Sequence, residues 1–107
     1  MDAQLKRGLL EICVLAALMR RDSYGYQIIK DVSAVIEISE STLYPILKRL
    51  LGAQCLTEYS MEHGGRLRKY YHLTGDGRTR VQEFLDNWHR IMEIHAFIEG
   101  GMSGEEN

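Results

Sequence analysis

The chain has few cysteines, a single proline, almost no net charge, no motif for covalent chemistry and no apolar run long enough to cross a bilayer. Its two cysteines, Cys13 and Cys55, lie in apolar surroundings without CxxC or Cys/His ligand spacing. That pattern excludes a disulfide framework or thiolate metal site and points to buried free thiols in a reducing cytoplasm. The histidines add no site: His89 and His95 fall on different helix faces, His63 and His72 lie across a hairpin, and no metal or other cofactor is expected. The run Ile12 to Met19 follows Lys6 and Arg7 as in an export leader, but Glu11 interrupts it and no small-x-small cleavage site ends it. It is also too short to span a membrane, and reads as a buried helix. No phosphate-cradling glycine loop, nucleophile elbow or paired-carboxylate constellation is present, so an enzyme is not expected.

Its 107 residues, 45% of them hydrophobic, suffice for one domain with a modest core but not for two. A formal charge of −2 argues against a nucleic-acid partner only until it is divided by position. Met1 to His72 carries ten Lys and Arg against eight Asp and Glu, a net of +2, whereas Leu73 onward carries three against seven, a net of −4. The cations therefore belong to the N-terminal part of the chain. No internal repeat is present.

Taken in order, Gln4 to Arg21 reads as a helix wound round Leu9, Ile12, Cys13, Ala16, Ala17 and Met19. Asp22 and Ser23 offer caps for a second helix, Tyr24 to Glu37, with Ile28, Ile29, Val32, Val35 and Ile36 inward. Gly25 at its start lets a backbone or a phosphate come close, with Tyr24 and Tyr26 on either side. From Ser39 to Leu51, Leu43, Ile46, Leu47 and Leu50 recur at i, i+3, i+4 and i+7, the buried stripe of a third helix. The proline lacks an N–H, which favours a helix start close before it, with Ser39 or Ser41 as cap, and an end near Gly52. The outward residues Ser41, Thr42, Tyr44, Pro45, Lys48 and Arg49 are types that reach phosphates and base edges. The second and third helices form a helix-turn-helix pair.

Beyond the third helix the period becomes alternating. Leu56 to Met61 and Leu67 to Leu73 read as strands joined by Glu62-His63-Gly64-Gly65-Arg66, and the hairpin carries Arg66, Arg68 and Lys69. Tyr70 and Tyr71 face opposite ways, with either one the buried one. Thr74 caps a last helix in which Val81, Phe84, Trp88, Ile91, His95 and Ile98 repeat at spacings of three and four, flanked by Leu85 and Met92. Such a helix projects from a small domain and calls for a partner, most simply its own copy. His89 and Glu93 form an i,i+4 pair on it. The expected class is thus mainly α with a small two-stranded β wing: a winged helix-turn-helix domain over 1–74, a dimerisation helix over 75–99, and a disordered tail over 100–107.

The strings Tyr24-Gly-Tyr-Gln-Ile-Ile29, Ser41-Thr-Leu-Tyr-Pro-Ile-Leu-Lys-Arg-Leu50, Gly64-Gly-Arg-Leu-Arg-Lys-Tyr-Tyr-His-Leu-Thr74 and Gly77 resemble the PadR-like bacterial transcriptional regulators, in their short form with one C-terminal helix. The resemblance runs from about Arg7 to Glu99. It implies a dimeric winged-helix DNA-binding protein, usually a repressor, joined through the last helix with help from the first. Two places depart from the pattern: Leu51-Gly-Ala-Gln-Cys-Leu56 displaces a glycine from the end of the third helix, and Ser41 replaces a frequent glycine. Some relatives bind flat aromatic molecules between the last helices, and Trp88 resembles the tryptophan used there.

The resulting DNA-binding candidates are Tyr24, Tyr26, Ser41, Thr42, Tyr44, Pro45, Lys48, Arg49, Gly64, Gly65, Arg66, Arg68 and Lys69, on a pseudo-palindromic duplex. Trp88 is either an interface anchor or, with Leu9, Cys13, Phe84 and Met92, a wall of a slot for a small aromatic ligand that releases DNA. The alternatives are a winged-helix module that binds protein in place of DNA, and a sensor whose main task is ligand binding.

Overall fold

The computed structural model describes residues 1–104. Its elements in order are α1 (Ala3–Ala17), β1 (Ser23–Tyr24), α2 (Gly25–Ser33), α3 (Glu40–Gly52), β2 (Leu56–His63), β3 (Arg66–Leu73) and α4 (Gly75–Gly104). The sheet is three-stranded and antiparallel in the order β1-β3-β2, one strand more than the predicted wing.

Asp2 caps α1, its carboxylate accepting the Leu5 amide at 3.0 Å. The helix ends at Ala17 and turns Leu10, Val14 and Leu15 into the core, followed by Leu18 just beyond its end. The stripe expected from Leu9, Ile12, Cys13, Ala16 and Ala17 becomes its margin, with Ala16 exposed. Large branched side chains bury more apolar area than alanine or cysteine, and that difference sets the rotation. Ser23 and Tyr24 do not begin α2: they are extended and pair with Tyr71 and Tyr70 of β3. Nor does α2 reach Glu37. It stops at Ser33, leaves Val35 79% exposed and turns to bury Ile38, since the β-branched run Val35-Ile36 has little helical preference.

Leu43, Ile46, Leu47 and Leu50 of α3 are buried as their spacing predicts. The start at Glu40, however, leaves Pro45 inside the helix, well past its first turn. At the other end Cys55 N–H donates to Leu50 C=O at 2.9 Å and Gln54 N–H to Leu51 C=O at 3.0 Å, the paired bonds of a Schellman cap. The left-handed residue of that cap is Gln54, at φ 62°, because glycine stands two places earlier. The strands of the hairpin run to His63 and Arg66 and leave only Gly64-Gly65 as the turn, with φ of 57° and 82°. Two consecutive positive φ values define the tight turn that matches strand twist. Tyr71 is the buried tyrosine of the adjacent pair, and Tyr70 lies on the outer face.

The last helix leaves the domain at a crowded corner. Thr74 Oγ1 donates to Gln54 C=O at 2.7 Å and accepts the Gly77 amide at 3.1 Å, while Thr74 N–H donates to Cys55 C=O at 3.1 Å. A Cβ on Gly77 would fall on that Cys55 carbonyl and on Leu73. Val81 is buried and Phe84 half-buried against the domain; everything from Leu85 to Gly104 is exposed. With 30 residues, α4 is about 45 Å long. Residues 100–104, expected to be disordered, continue the helix, because extending an existing helix carries no nucleation cost. The rest of the expected tail, 105–107, lies outside the described residues.

Two substitutions test this corner. Gln54→Gly should raise stability by about 1 kcal/mol, since glycine occupies the left-handed region without penalty. Gly77→Ala should lower it by about 1–3 kcal/mol through the clash with backbone. Chemical denaturation checks both, and an unchanged midpoint in either variant contradicts the packing described.

Candidate nucleic-acid interface

The open face of α3 is formed by Ser41, Thr42, Tyr44, Pro45, Lys48 and Arg49, all exposed. Pro45 has no N–H for the Ser41 carbonyl one turn earlier, so that oxygen lacks its usual helical donor. Ser39 stands at the N-cap without accepting an amide; its hydroxyl bonds instead to Ser41 Oγ at 3.0 Å and Thr42 Oγ1 at 3.2 Å. The helix therefore begins in a cluster of hydroxyls suited to donate to, or accept from, base edges and phosphates.

Tyr44 leans across the start of α2. A Cβ at Gly25 would lie 2.5 Å from the Tyr44 hydroxyl, so glycine is what admits the ring. Tyr24, Gly25, Tyr26, Tyr44, Arg68, Lys69 and Tyr71 line a cleft of about 640 Å³ between α2, α3 and the wing. No side chain caps the N-terminus of α2, and its first amides together with its dipole make that end receptive to an anion. Tyr26 is 67% exposed and free to reach a ligand. Tyr24 has a different part: its ring packs edge-on against Tyr70, and the Arg68 guanidinium lies over it, 4.0 Å from the centroid. A candidate contact thus serves as a support that aims a cation.

The wing is fastened to the body by residues absent from the candidate set. Tyr59 Oη donates to one Asp22 carboxylate oxygen at 2.6 Å, and His72 Nδ1 lies 2.7 Å from the other. Tyr59 also stacks on Tyr70, with centroids 5.7 Å apart. These bonds span 37 and 50 positions, so no local periodicity announces them. Alternation puts Arg66 and Arg68 on the same sheet face as Tyr70, and Lys69 on the opposite face, where it pairs with Glu58 at 3.6 Å. Gly64 and Gly65 occupy the exposed tip. Arg49 is directed toward α1, 3.7 Å from Glu11, which also lies 3.9 Å from Arg80. Lys48 forms no ion pair among the described residues and is the open cation of α3.

The fold that carries this site is also found in known proteins. A family model described as the transcriptional regulator PadR-like family matches residues 14–83. This chain belongs to the PadR-like family. A Streptococcus mutans protein of solved structure is 43% identical, with 88% of this chain and 90% of that one covered and a TM-score of 0.77. A PadR-like transcription factor from Bacteroides fragilis is 34% identical over 90% of this chain and 95% of its own, with a TM-score of 0.80. An uncharacterized protein of Lysinibacillus sphaericus is 33% identical, covering 88% of this chain and 92% of that protein. Members of the PadR-like family are DNA-binding transcriptional regulators, generally dimeric, and not enzymes.

The PadR-like helix α4 presents Leu85, Trp88, Ile91, Met92 and Ile98 at 43–57% exposure, adds Ile94 and Phe97, which a strict heptad reading omits, and continues the heptad spacing to Met102, beyond the expected helix end. Val81 is already buried in the domain and so cannot form part of an exposed seam. His95 pairs with Glu99 at 3.2 Å, and Glu93 joins Arg90 at 2.8 Å where His89 was expected. Phe84 and Trp88 stack, centroids 6.1 Å apart. Cys13 faces a depression between α1 and α2 that Phe84 does not line, so one chain does not gather the expected ligand wall, and Leu9 is half-buried on α1. Burial pushes the Cys13 thiol up, which disfavours its thiolate. No helix is long and apolar enough to cross a membrane, and no cluster of metal-ligating side chains occurs among the described residues.

The Tyr59 hydrogen bond, then the His72 one, holds the Asp22 carboxyl below its ordinary value of 3.8, and the same bond pushes the Tyr59 phenol above 10.0. A depressed carboxyl stabilises above its ordinary value and loses the contribution as pH falls through the folded one. A raised phenol stabilises below its ordinary value and loses it as pH rises through the folded one. The tie therefore holds throughout the neutral range. In Tyr59→Phe, the Asp22 titration followed by carboxyl NMR should move up toward the ordinary value; an unmoved titration means the bond is absent in solution.

Proposed function

We propose that this PadR-like chain is a homodimeric repressor that binds a pseudo-palindromic operator through two copies of α3 and the wing. The observation that carries the reading is the side-by-side placement of an open α3 face, with Ser41, Tyr44, Pro45 and Lys48, and a hairpin whose Arg68 is held by Tyr24. The helix lies in the major groove, where Lys48 and the α3 hydroxyls read base edges. Tyr26, Tyr44, the α2 amides, Arg66, Arg68 and the Gly64-Gly65 tip grip phosphate, which sets register without specifying sequence, and Lys69, on the opposite sheet face and paired to Glu58, contributes less. Arg49, paired to Glu11, contributes less than Lys48.

Dimerisation through α4 follows from its exposed apolar residues, for which a second copy is the simplest cover. In the dimer, Trp88 approaches its own counterpart. Its 43% exposure in the single chain and its stack on Phe84 favour a slot between the two indoles for a planar aromatic ligand. A ligand that fits only one spacing of the helices shifts the half-sites and releases DNA. The cytoplasm, where DNA is accessible, is the proposed location.

Gel retardation on the chain's own upstream region tests the regulator reading. Retardation by micromolar protein at low salt is expected, and its absence favours the protein-binding alternative. Arg66→Ala should weaken binding similarly on all sequences and reduce the slope of log K against log salt by about one per copy; an unchanged slope removes Arg66 from the phosphate contacts. For the slot, a planar dye should quench the single indole and fail to bind Trp88→Ala. No dye binding at high micromolar concentration leaves Trp88 a packing residue.

A further inference from the structure

A second cleft lies on the flank of α3 away from the wing. It has a volume of about 650 Å³ and separates the N-terminal half of α1 from α3. Lys6 and Arg7 project from α1, Thr42, Pro45 and Arg49 from α3, and Glu37 closes one end. Three cations therefore meet one carboxylate. Arg49 is already partnered by Glu11, whereas Lys6 and Arg7 are exposed and have no acidic partner within 4.0 Å among the described residues. Thr42 and Pro45 belong both to this cleft and to the open face of α3, so the two surfaces are continuous.

A helix seated in the major groove has a sugar-phosphate strand on either side, across a groove about 12 Å wide. The wing and the α2 amides account for one of those strands. The other passes over the opposite flank of α3, where Lys6 and Arg7 stand. We infer that the N-terminal turns of α1 form a second arm of the DNA grip, with Lys6 and Arg7 holding phosphodiesters across the groove from the wing. The inference rests on the DNA-binding reading above and extends it to a surface on α1. Glu37 limits the strength of this arm, and burial of Leu10, Val14 and Leu15 in the core holds α1 in place beside α3. The contacts are to phosphate alone, so they add affinity without adding sequence preference.

The test is Lys6→Gln with Arg7→Gln in the full chain, bound to duplex DNA of random sequence and to the upstream region across a salt series. Both residues are exposed, and circular dichroism checks that the fold is kept. The slope of log K against log salt should fall by about two per copy, equally on both duplexes. Glu37→Gln should tighten binding on both duplexes. Arg90→Gln, on α4 and outside both clefts, should keep the unaltered slope; an equal drop there assigns the effect to net charge and overturns the proposal. An unchanged slope in the double variant, while Arg66→Ala reduces it, overturns the α1 arm and leaves the regulator reading standing. Absence of DNA binding by the unaltered chain at low salt overturns both. Calorimetry with inorganic phosphate alone separates a free-anion site: phosphate binding lost in the double variant, with an unaltered DNA slope, also overturns the proposal.

Discussion

Two residues of extended chain, Ser23 and Tyr24, make the wing part of the helical body. Their pairing with Tyr71 and Tyr70 stitches β3 to the start of α2, and Asp22 just before them receives Tyr59 and His72 from both wing strands. An isolated two-stranded hairpin is marginal in water. Held in this way, it becomes a fixed neighbour of α3, and a cation on it acquires a definite place. Arg68 shows the consequence, since its guanidinium rests on Tyr24, the last residue of the stitch and the first support of α2. Gly25 follows directly and admits Tyr44 from α3. Over four residues the chain thus fastens the wing, supports an arginine, opens a helix N-terminus and seats the aromatic ring of Tyr44 from α3.

The second constraint acts at the exit of α4. Thr74 and Gly77 press the first turn of that helix onto the carbonyls that end α3. The direction of α4 is therefore tied to the end of the helix proposed to read DNA. In the proposed dimer, a change in how two α4 helices meet would pass to both copies of α3 without an intervening flexible joint. This is the physical basis for proposing that a ligand between the helices alters DNA binding. Substantial apolar surface on α4, including Ile94 beside the seam and Phe97 turned away from it, suits an interface broader than a two-helix seam.

Periodicity made much of this fold legible. The stripe of α3, the alternation of the hairpin and the cap at Thr74 are local features, and each lies where its pattern places it. The candidate face on α3 was legible for the same reason, since the buried stripe determines what faces out. Errors arose where tertiary contacts outweighed local signals. Asp22 and Ser23 resemble helix caps, yet strand pairing and a two-sided hydrogen bond claim them. Pro45 resembles a first-turn residue, yet burial of Leu43, Ile46, Leu47 and Leu50 keeps the helix going around it. Arg49 is exposed as its position in the helix implies, and it also meets Glu11 of a separate helix, a contact that no local pattern announces. Gln54 takes a left-handed conformation that composition assigns to glycine, because the cap geometry places that demand two residues after Gly52. None of these outcomes is written within one turn or one strand.

The central claim is that α3 and the wing form one rigid surface, presented twice by α4 at a fixed separation. Hydroxyl-radical footprinting on the upstream region measures that separation directly. Two protected patches related by a two-fold axis, with centres about 34–36 Å or a whole multiple of that apart, are the predicted result. A single unsymmetrical patch, or protection that drifts continuously along the duplex at physiological salt, would contradict it.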